Sequence, residues 1–105
     1  MKNMFDIMKQ AQQLQSRMQS LQAELETAEV EGRAGGGLVA VVMSGKGEVK
    51  KISIDPSLMK EDEREVLEDL IVAASADAKA KAEALAAEKM KSVTGGLALP
   101  PGLGL

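Results

Sequence analysis

The sequence contains no histidine, cysteine, tryptophan or tyrosine, and its one aromatic residue is a phenylalanine. These absences exclude disulfides, thiol nucleophiles, cysteine or histidine zinc sites and every histidine-based catalytic triad. The remaining carboxylates, lysines, arginines and hydroxyls form no recognisable catalytic constellation, so we expect no enzymatic activity, no cofactor, no metal and no small-molecule ligand. The shortage of aromatic side chains also disfavours single-stranded nucleic acid, which proteins bind largely by stacking bases on aromatic rings.

Long hydrophobic runs are missing as well. The longest apolar run is six residues, 38–43, whereas a membrane-spanning helix needs about 20. The first residues carry no secretory hydrophobic region. Together with the lack of cysteine, this predicts a cytoplasmic protein that does not associate with a membrane.

The N-terminal third has a heptad pattern. Apolar residues recur at alternating spacings of three and four, at Met4, Ile7, Ala11, Leu14, Met18, Leu21, Leu25 and Ala28. This spacing places them along one side of a helix. Asn3 is a suitable N-cap. We predict a helix over 4–27, about 36 Å long.

The period then changes to two, which is typical of strands. Residues 28–33 alternate, 38–43 are apolar and β-branched, and 49–54 form a third candidate strand. Glycine-rich links at 35–37 and 44–47 favour an antiparallel meander. Asp55 and Pro56 end the sheet, and a short turn leads into a long helix predicted over 61–93.

The fold class is therefore α+β, with a long helix, three antiparallel strands and a second long helix (α-β-β-β-α). We predict a single domain over residues 1–94, followed by an irregular Gly/Pro-rich tail over 95–105. Nine of the 15 residues from 73 to 87 are alanine, and such a helix face lets another backbone approach closely.

Two segments are candidate ligand sites, and each has a simpler explanation. The three glycines at 35–37 resemble part of a phosphate-binding loop, but strands flank them on both sides, where a dinucleotide site needs a following helix. Acidic residues crowd 61–69, and carboxylates four apart are able to hold a hard cation. Acidic residues are equally favoured at the start of a helix by its dipole, and we prefer this interpretation.

Both helices are longer than the globule that about 100 residues form, which has a radius of gyration near 13 Å. Their ends must leave the globular body, and an exposed apolar stripe would then be a liability. A homodimer solves this problem better than a monomer with overhanging helices. The expected dimer interface consists of Leu14, Met18, Leu21 and Leu25.

Charge is segregated along the chain, although the net charge is only −3. Residues 1–23 and 79–91 each carry a net positive charge, and residues 55–69 are strongly acidic. The basic segments coincide with the helix ends that are expected to protrude. Such arms are suited to neutralising phosphates.

Short motifs in a fixed order resemble the YbaB/EbfC family of bacterial nucleoid-associated DNA-binding proteins over essentially the whole chain. They are residues 8–13, Gly32, Gly35, 37–39, 54–58, 67–71 and 99–102. The resemblance implies a tweezer-shaped homodimer whose helical arms grip duplex DNA with broad sequence tolerance. It also implies a cytoplasmic protein located in the nucleoid.

On this interpretation the protein binds double-stranded DNA and alters its conformation, with roles in nucleoid organisation and gene regulation. The expected DNA-binding residues are basic or amide side chains: Lys2, Lys9, Gln12, Gln13, Arg17, Lys79, Lys81, Lys89 and Lys91. The alternative is a protein-interaction scaffold that docks a replication, repair or ribosomal partner, with DNA binding incidental. The modest number of basic residues favours this alternative.

Overall fold

The computed structural model describes residues 3–94, so Lys2 and the 95–105 tail lie outside the described residues. The predicted α-β-β-β-α order is confirmed. The helices and strands are α1 (Met4–Thr27), β1 (Glu29–Ala34), β2 (Val39–Ser44), β3 (Val49–Ile54) and α2 (Arg64–Thr94). The boundary between a domain and a tail at residue 94 stays a prediction.

Helix α1 has the predicted bounds, and its start is capped as expected. The side chain of Asn3 accepts a hydrogen bond from the backbone N–H of Asp6 at 3.0 Å, which satisfies one of the helix's unpaired N-terminal donors. Helix α2 begins three residues later than predicted, at Arg64, because residues Glu61–Glu63 form a 3-10 turn. Such tighter turns are common at helix N-termini.

The three strands form one antiparallel sheet in the order β1-β2-β3. The connection from β1 to β2 is made by Gly35, Gly36 and Gly37, which all have positive φ angles, of 65°, 68° and 99°. Only glycine adopts three such conformations in succession without strain. The three glycines therefore make a hairpin connection, as the flanking strands predicted.

The core lies between β2 and α2. Its buried residues are Val39, Val41, Met43, Leu58, Ala74, Ala78 and Ala82. The alanine face of α2 lets the sheet approach closely, as predicted, and the backbone that approaches is that of β1. A Cβ atom on Gly32 would overlap the backbone of Ala74 and Ala78, so β1 and α2 pack in direct backbone contact.

The outer edge of β1 is covered by polar groups from α2. The backbone N–H of Arg33 donates to Oδ2 of Asp77 at 3.0 Å, and Nζ of Lys81 donates to the carbonyl of Glu31 at 2.8 Å. Lys81 also pairs with Asp77 at 3.1 Å. The hydrogen bond from Arg33, followed by that from Lys81, lowers the pKa of the Asp77 carboxyl below its usual value of 3.8. Edge groups that are satisfied in this way are not available to another strand.

The molecule is elongated, with extents of 72 × 26 × 15 Å and a radius of gyration of 19.8 Å. A compact chain of this length would have a radius near 13 Å, so the prediction that the helices extend beyond the globular body is confirmed. The C-terminal half of α2 runs antiparallel to α1. Ser16 and Arg17 share a cavity wall with Ser92 and Val93, and Glu24 lies 3.9 Å from Lys89. We call α1 together with residues 85–94 the arm.

The heptad stripe divides into a covered and an uncovered part. Leu21 and Leu25 are only 1% and 6% exposed within the single protomer, because the protomer's own helix packing covers them; their assignment to a dimer interface stays a prediction. Met18 is half-buried, and Leu14 is 37% exposed. Only the N-terminal half of the stripe has surface left for a second molecule.

Candidate nucleic-acid interface

The surface of α1 is free of acidic residues over 17 positions. No aspartate or glutamate occurs from residue 7 to residue 23, and Asp6 and Glu24 border this stretch. The two charged side chains inside it, Lys9 and Arg17, are both basic and exposed. Although the protein is acidic overall, this part of the arm carries two positive side chains and no negative one, among neutral polar and apolar residues. Such a surface attracts a polyanion.

Four polar residues of α1 form a contiguous exposed patch. Lys9, Gln12, Gln13 and Ser16 stand at spacings of i, i+3, i+4 and i+7 and are therefore neighbours on the helix surface. All four are exposed. The ammonium group, the two amides and the hydroxyl are all able to donate hydrogen bonds to phosphate oxygens. The amides and the hydroxyl are also hydrogen-bond acceptors. The structure thus brings three of the predicted DNA-binding residues together, and adds Ser16.

Arg17 extends this patch toward the end of α2. It lines an open cavity of about 290 Å³ together with Ser16, Ser20, Glu24, Ser92 and Val93. The three serine hydroxyls are further donors for an oxyanion, whereas the Glu24 carboxylate at the end of the cavity nearest the sheet repels one. Sequence reasoning missed these serines. The available signal was that Ser16 and Ser20 stand four residues apart, on the side of α1 opposite the heptad stripe.

The four predicted lysines of α2 do not share one face. Lys79 and Lys81 are two residues apart, as are Lys89 and Lys91, and two residues correspond to about 200° around a helix. A straight duplex lying along one side of α2 is therefore unable to contact all four ammonium groups. The sequence suggests that they act as one set because it shows how charge is distributed along the chain and not around the helix axis.

Lys81 and Lys89 make polar contacts within the protomer. Lys81 joins α2 to the edge of β1 through Glu31 and Asp77. Lys89 is half-buried and lies 3.9 Å from the Glu24 carboxylate. Lys81 therefore links α2 to the sheet, and Lys89 links α2 to α1. Lys79 and Lys91 are exposed.

A second basic group lies on the β2–β3 hairpin. Nζ of Lys46 pairs with Oε1 of Glu26 at 2.8 Å, and Lys50 is close enough to contribute to the field at that carboxylate. Lys51 is exposed on β3. The sequence shows these lysines as a short basic segment, but only the fold brings Lys46 and Lys50 close to Glu26 at the base of α1.

The acidic residues at 61–69 are explained by their position at the start of α2. Glu65 lies in the first turn of the helix, and Glu61, Asp62 and Glu63 form the preceding 3-10 turn. Among the residues that the structure describes, no group of three or more potential ligands is arranged to hold a metal ion. Within 3–94, neither helix is long and apolar enough to cross a membrane.

The model of the YbaB/EbfC DNA-binding family matches residues 1–97. A protein of Rhodopseudomonas palustris (strain TIE-1), named nucleoid-associated protein, is 66% identical over 105 residues, covering 100% of this chain and 99% of the relative. A protein of Nitrobacter hamburgensis with the same name is 63% identical over the same length and with the same coverage.

The fold also occurs in a solved structure. The crystal structure of an uncharacterized protein from Helicobacter pylori superimposes with a TM-score of 0.71 at 20% identity, covering 92% of this chain and 98% of that one. At this identity the likeness concerns the fold alone. The family match over nearly the whole chain, with relatives above 60% identity, shows that this chain belongs to the YbaB/EbfC DNA-binding family.

Proposed function

We propose that this protein is a non-enzymatic, nucleoid-located homodimer that binds duplex DNA with broad sequence tolerance and alters its conformation. The observation that carries the proposal is the acid-free surface of α1, which lies on an arm that extends from the globular body. The names of the relatives, which are nucleoid-associated proteins, support the location.

The exposed basic side chains of the arm, Lys9, Arg17 and Lys91, are suited to phosphate contacts. Such contacts position a protein on DNA without reading its sequence. Gln12 and Gln13 hydrogen-bond phosphate oxygens or groove edges from the same patch. Phe5, one turn before Lys9 on the same face of α1, is the one aromatic side chain in the sequence. A single ring is a small platform for unstacked bases, so the duplex is the preferred form.

A dimer would present two such arms to one duplex. Over residues 16–27, α1 packs against the antiparallel end of α2, at Leu21 and through the Glu24–Lys89 pair, which makes this part of the arm stiffer than a single helix. When two stiff arms contact one duplex, the DNA must follow their spacing, and the deformation energy depends on how easily the duplex bends. This accounts for a change in DNA conformation without base-specific contacts.

An incompletely covered sheet supports the homodimer. On β3, Val49 and Ile52 stand directly opposite Met43 and Val41, so their side chains are on the core face of the sheet. They are nevertheless 53% and 43% exposed. The reason is that α2 packs over β1 and β2, and one helix, about 10 Å across, does not span three strands.

A second copy of the chain offers the missing cover. Val72 of α2 is 69% exposed and is turned by about 140° around the helix from Asp77, which faces β1. In a two-fold dimer, this flank of each α2 would pack on β3 of the partner, because such an interface is self-complementary. We place the dimer contact here, and the uncovered part of the α1 stripe, Leu14 and Met18, is the competing location.

A salt titration of duplex binding tests the DNA proposal. If the arms neutralise phosphates, the logarithm of the binding constant falls linearly with the logarithm of salt concentration, by about 0.9 per phosphate. Two or three contacts from each protomer predict a slope between about −3.6 and −5.4. Lys9→Glu and Arg17→Glu should weaken binding to every duplex sequence and flatten the slope. A purified wild-type protein that binds no duplex at about 50 mM salt contradicts the proposal.

Lys60→Glu is the matched control, since it makes the same change of charge at an exposed residue next to the acidic segment. It should have little effect on binding. If it weakens binding as much as Arg17→Glu does, the arm has no special role and only net charge matters.

The dimer is tested by sedimentation velocity with two neighbouring substitutions on β3. Ile52→Asp should give monomers, because it puts a carboxylate into the proposed contact. Ser53→Asp, on the opposite face of the same strand, should remain at about twice 11.1 kDa. Dissociation by Leu14→Asp alone would instead locate the interface on the heptad stripe, and a monomeric wild type at micromolar concentration would refute the dimer.

Exposed apolar residues at the start of α1 favour the scaffold as a second candidate function. Met4 and Phe5 are 77% and 82% exposed, and Ile7 and Met8 are both 57% exposed. Exposed apolar patches commonly mark protein contacts. Replacing Phe5 and Met8 by serine should leave duplex affinity unchanged if these residues serve a protein partner, and should lower it if they contribute to DNA binding.

A further inference from the structure

The turn between β2 and β3 is attached to the last turn of α1. The backbone N–H of Gly45 donates to the carbonyl oxygens of both Leu25 and Ala28, at 2.9 and 3.1 Å. The last carbonyls of a helix lack partners within the helix. The hairpin turn thus caps α1 from a distant part of the chain, at the point where the arm leaves the sheet.

The turn is held rigidly by Ser44, which is 1% exposed. Its hydroxyl oxygen accepts from the backbone N–H groups of Lys46 and Glu48, both at 3.2 Å. Its own N–H donates to the carbonyl of Glu48 at 2.8 Å, and its carbonyl accepts from Gly47 at 2.9 Å. Since every one of these bonds is internal to the turn, the turn moves as a unit.

Residue 45 must be glycine for reasons of space. A Cβ atom there would lie 2.8 Å from Cδ2 of Leu25, 2.9 Å from its carbonyl oxygen and 3.1 Å from its Cα. Two of these atoms belong to the backbone, so no change in the Leu25 rotamer relieves the contact. Gly45 is also not among the glycines with positive φ, so its backbone conformation is open to other residues.

A second link lies beside the first. Nζ of Lys46 pairs with Oε1 of Glu26 at 2.8 Å. The hydrogen bond from Lys46, and then its charge, lower the pKa of the Glu26 carboxyl below its usual 4.5. Gly45 and Lys46 therefore contact residues 25–28, about one turn at the C-terminal end of α1, through two backbone carbonyls and the Glu26 carboxylate.

We infer that Gly45 and Lys46 form a brace that sets the angle at which α1 leaves the sheet, and hence the separation of the two DNA-binding arms. The consequence for DNA rests on the proposed function, whereas the angle itself does not. Met4 lies about 32 Å along the helix from Leu25. A tilt of about 10° at the base would move the tip by about 5–6 Å, which is comparable with the width of the minor groove.

The arm angle can be measured directly because the natural sequence has no cysteine. Spin labels are attached at Gln15→Cys on α1 and Ser53→Cys on β3, both exposed and outside the proposed contacts. The distance between them is measured by pulsed electron spin resonance in protein diluted with unlabelled chains. The measured distance is then between two labels of the same protomer, whether the protein is a monomer or a dimer.

Gly45→Ala should shift the mean label distance by about 2–3 Å for a tilt of about 10°, since residue 15 lies about 15 Å from Leu25, while far-ultraviolet circular dichroism stays unchanged. It should also weaken duplex binding by about tenfold, the effect of losing one or two phosphate contacts. Gly36→Ala is the matched control, since a Cβ at Gly36 meets nothing within 4 Å, and its distance should equal that of the wild type. An unchanged distance in folded Gly45→Ala overturns the inference.

Lys46→Ala covers the case in which Gly45→Ala does not fold. It removes one link of the brace without adding atoms, and the distance distribution should broaden. A distribution as narrow as that of the wild type overturns the inference in that case. If the wild type binds no DNA, the proposed function fails, but the label distances still decide whether the brace exists.

Discussion

Gly32→Ala should destabilise the protein severely, although alanine is generally preferred to glycine inside a strand. Gly32 lies on β1 where the sheet touches α2. A Cβ atom at this position would overlap the carbonyl oxygen of Ala74 and the backbone nitrogen of Ala78, and would lie 2.8 Å from Cα of Ala78. Because all three atoms are backbone, no rotamer change makes room. Helix α2 must move away from the sheet as a whole.

The expected loss follows from these contacts. Overpacking a core with one extra methyl group costs about 1–3 kcal/mol. We expect Gly32→Ala to cost about 3 kcal/mol, because its neighbours are backbone atoms that cannot move separately. Replacing glycine by alanine also stabilises the folded protein by about 0.5–1 kcal/mol, because it lowers the conformational entropy of the unfolded chain. The net loss is about 2 kcal/mol or more, and 1 kcal/mol corresponds to about 4–8 °C in the melting temperature of a domain of this size. We therefore expect a decrease of about 8–16 °C.

Urea unfolding at one fixed protein concentration measures this loss, and Gly36→Ala separates it from effects of backbone conformation. Gly36 has a φ of 68° and open space around its Cβ position, so alanine there should cost only about 1–2 kcal/mol through the left-handed conformation. Ala78→Gly should not rescue Gly32→Ala, since the overlap involves backbone atoms. A Gly32→Ala protein within about 0.5 kcal/mol of the wild type refutes the backbone contact between β1 and α2.

Two further predictions concern stability. Hydrogen bonds lower the pKa of Asp77 below 3.8, so the stabilisation that it contributes is present above that pH and is lost as the pH falls through the lowered value. The melting temperature of the wild type should therefore fall on acidification below about pH 4, and that of Asp77→Asn should fall less; equal pH profiles contradict this. Leu21→Ala should cost about 2–5 kcal/mol and Leu14→Ala under about 1 kcal/mol, because their exposures are 1% and 37%; in urea unfolding, the reverse order would indicate that the heptad stripe is the dimer seam.

Local signals in the sequence were sufficient for the order and bounds of most elements. The heptad spacing and Asn3 defined α1, and glycines flanked by apolar runs defined the hairpins. Each of these signals acts within a few residues along the chain, through helical periodicity, capping or turn conformation. The start of α2 was placed three residues early, because the acidic residues 61–63 suit a 3-10 turn as well as an α-helix.

The candidate interface was predictable only where a single helix creates it. Lys9, Gln12 and Gln13 are neighbours by helical spacing alone, so the sequence was enough to group them. Lys81 carries the same charge on the same kind of helix, but the edge of β1 engages it. No pattern along the chain contains that information, since the contact joins residues 50 positions apart.

The sequence by itself determined the elements, the acid-free surface of α1 and the family. Only the tertiary structure decided which side chains are covered. Leu14 and Leu21 occupy equivalent positions in one heptad stripe, yet one is exposed and the other buried. The physical reason is that burial depends on which distant segment packs above a residue. That choice is made by long-range contacts, such as those of Gly32 with α2 and of Gly45 with α1, where the absence of a side chain permits two backbones to meet.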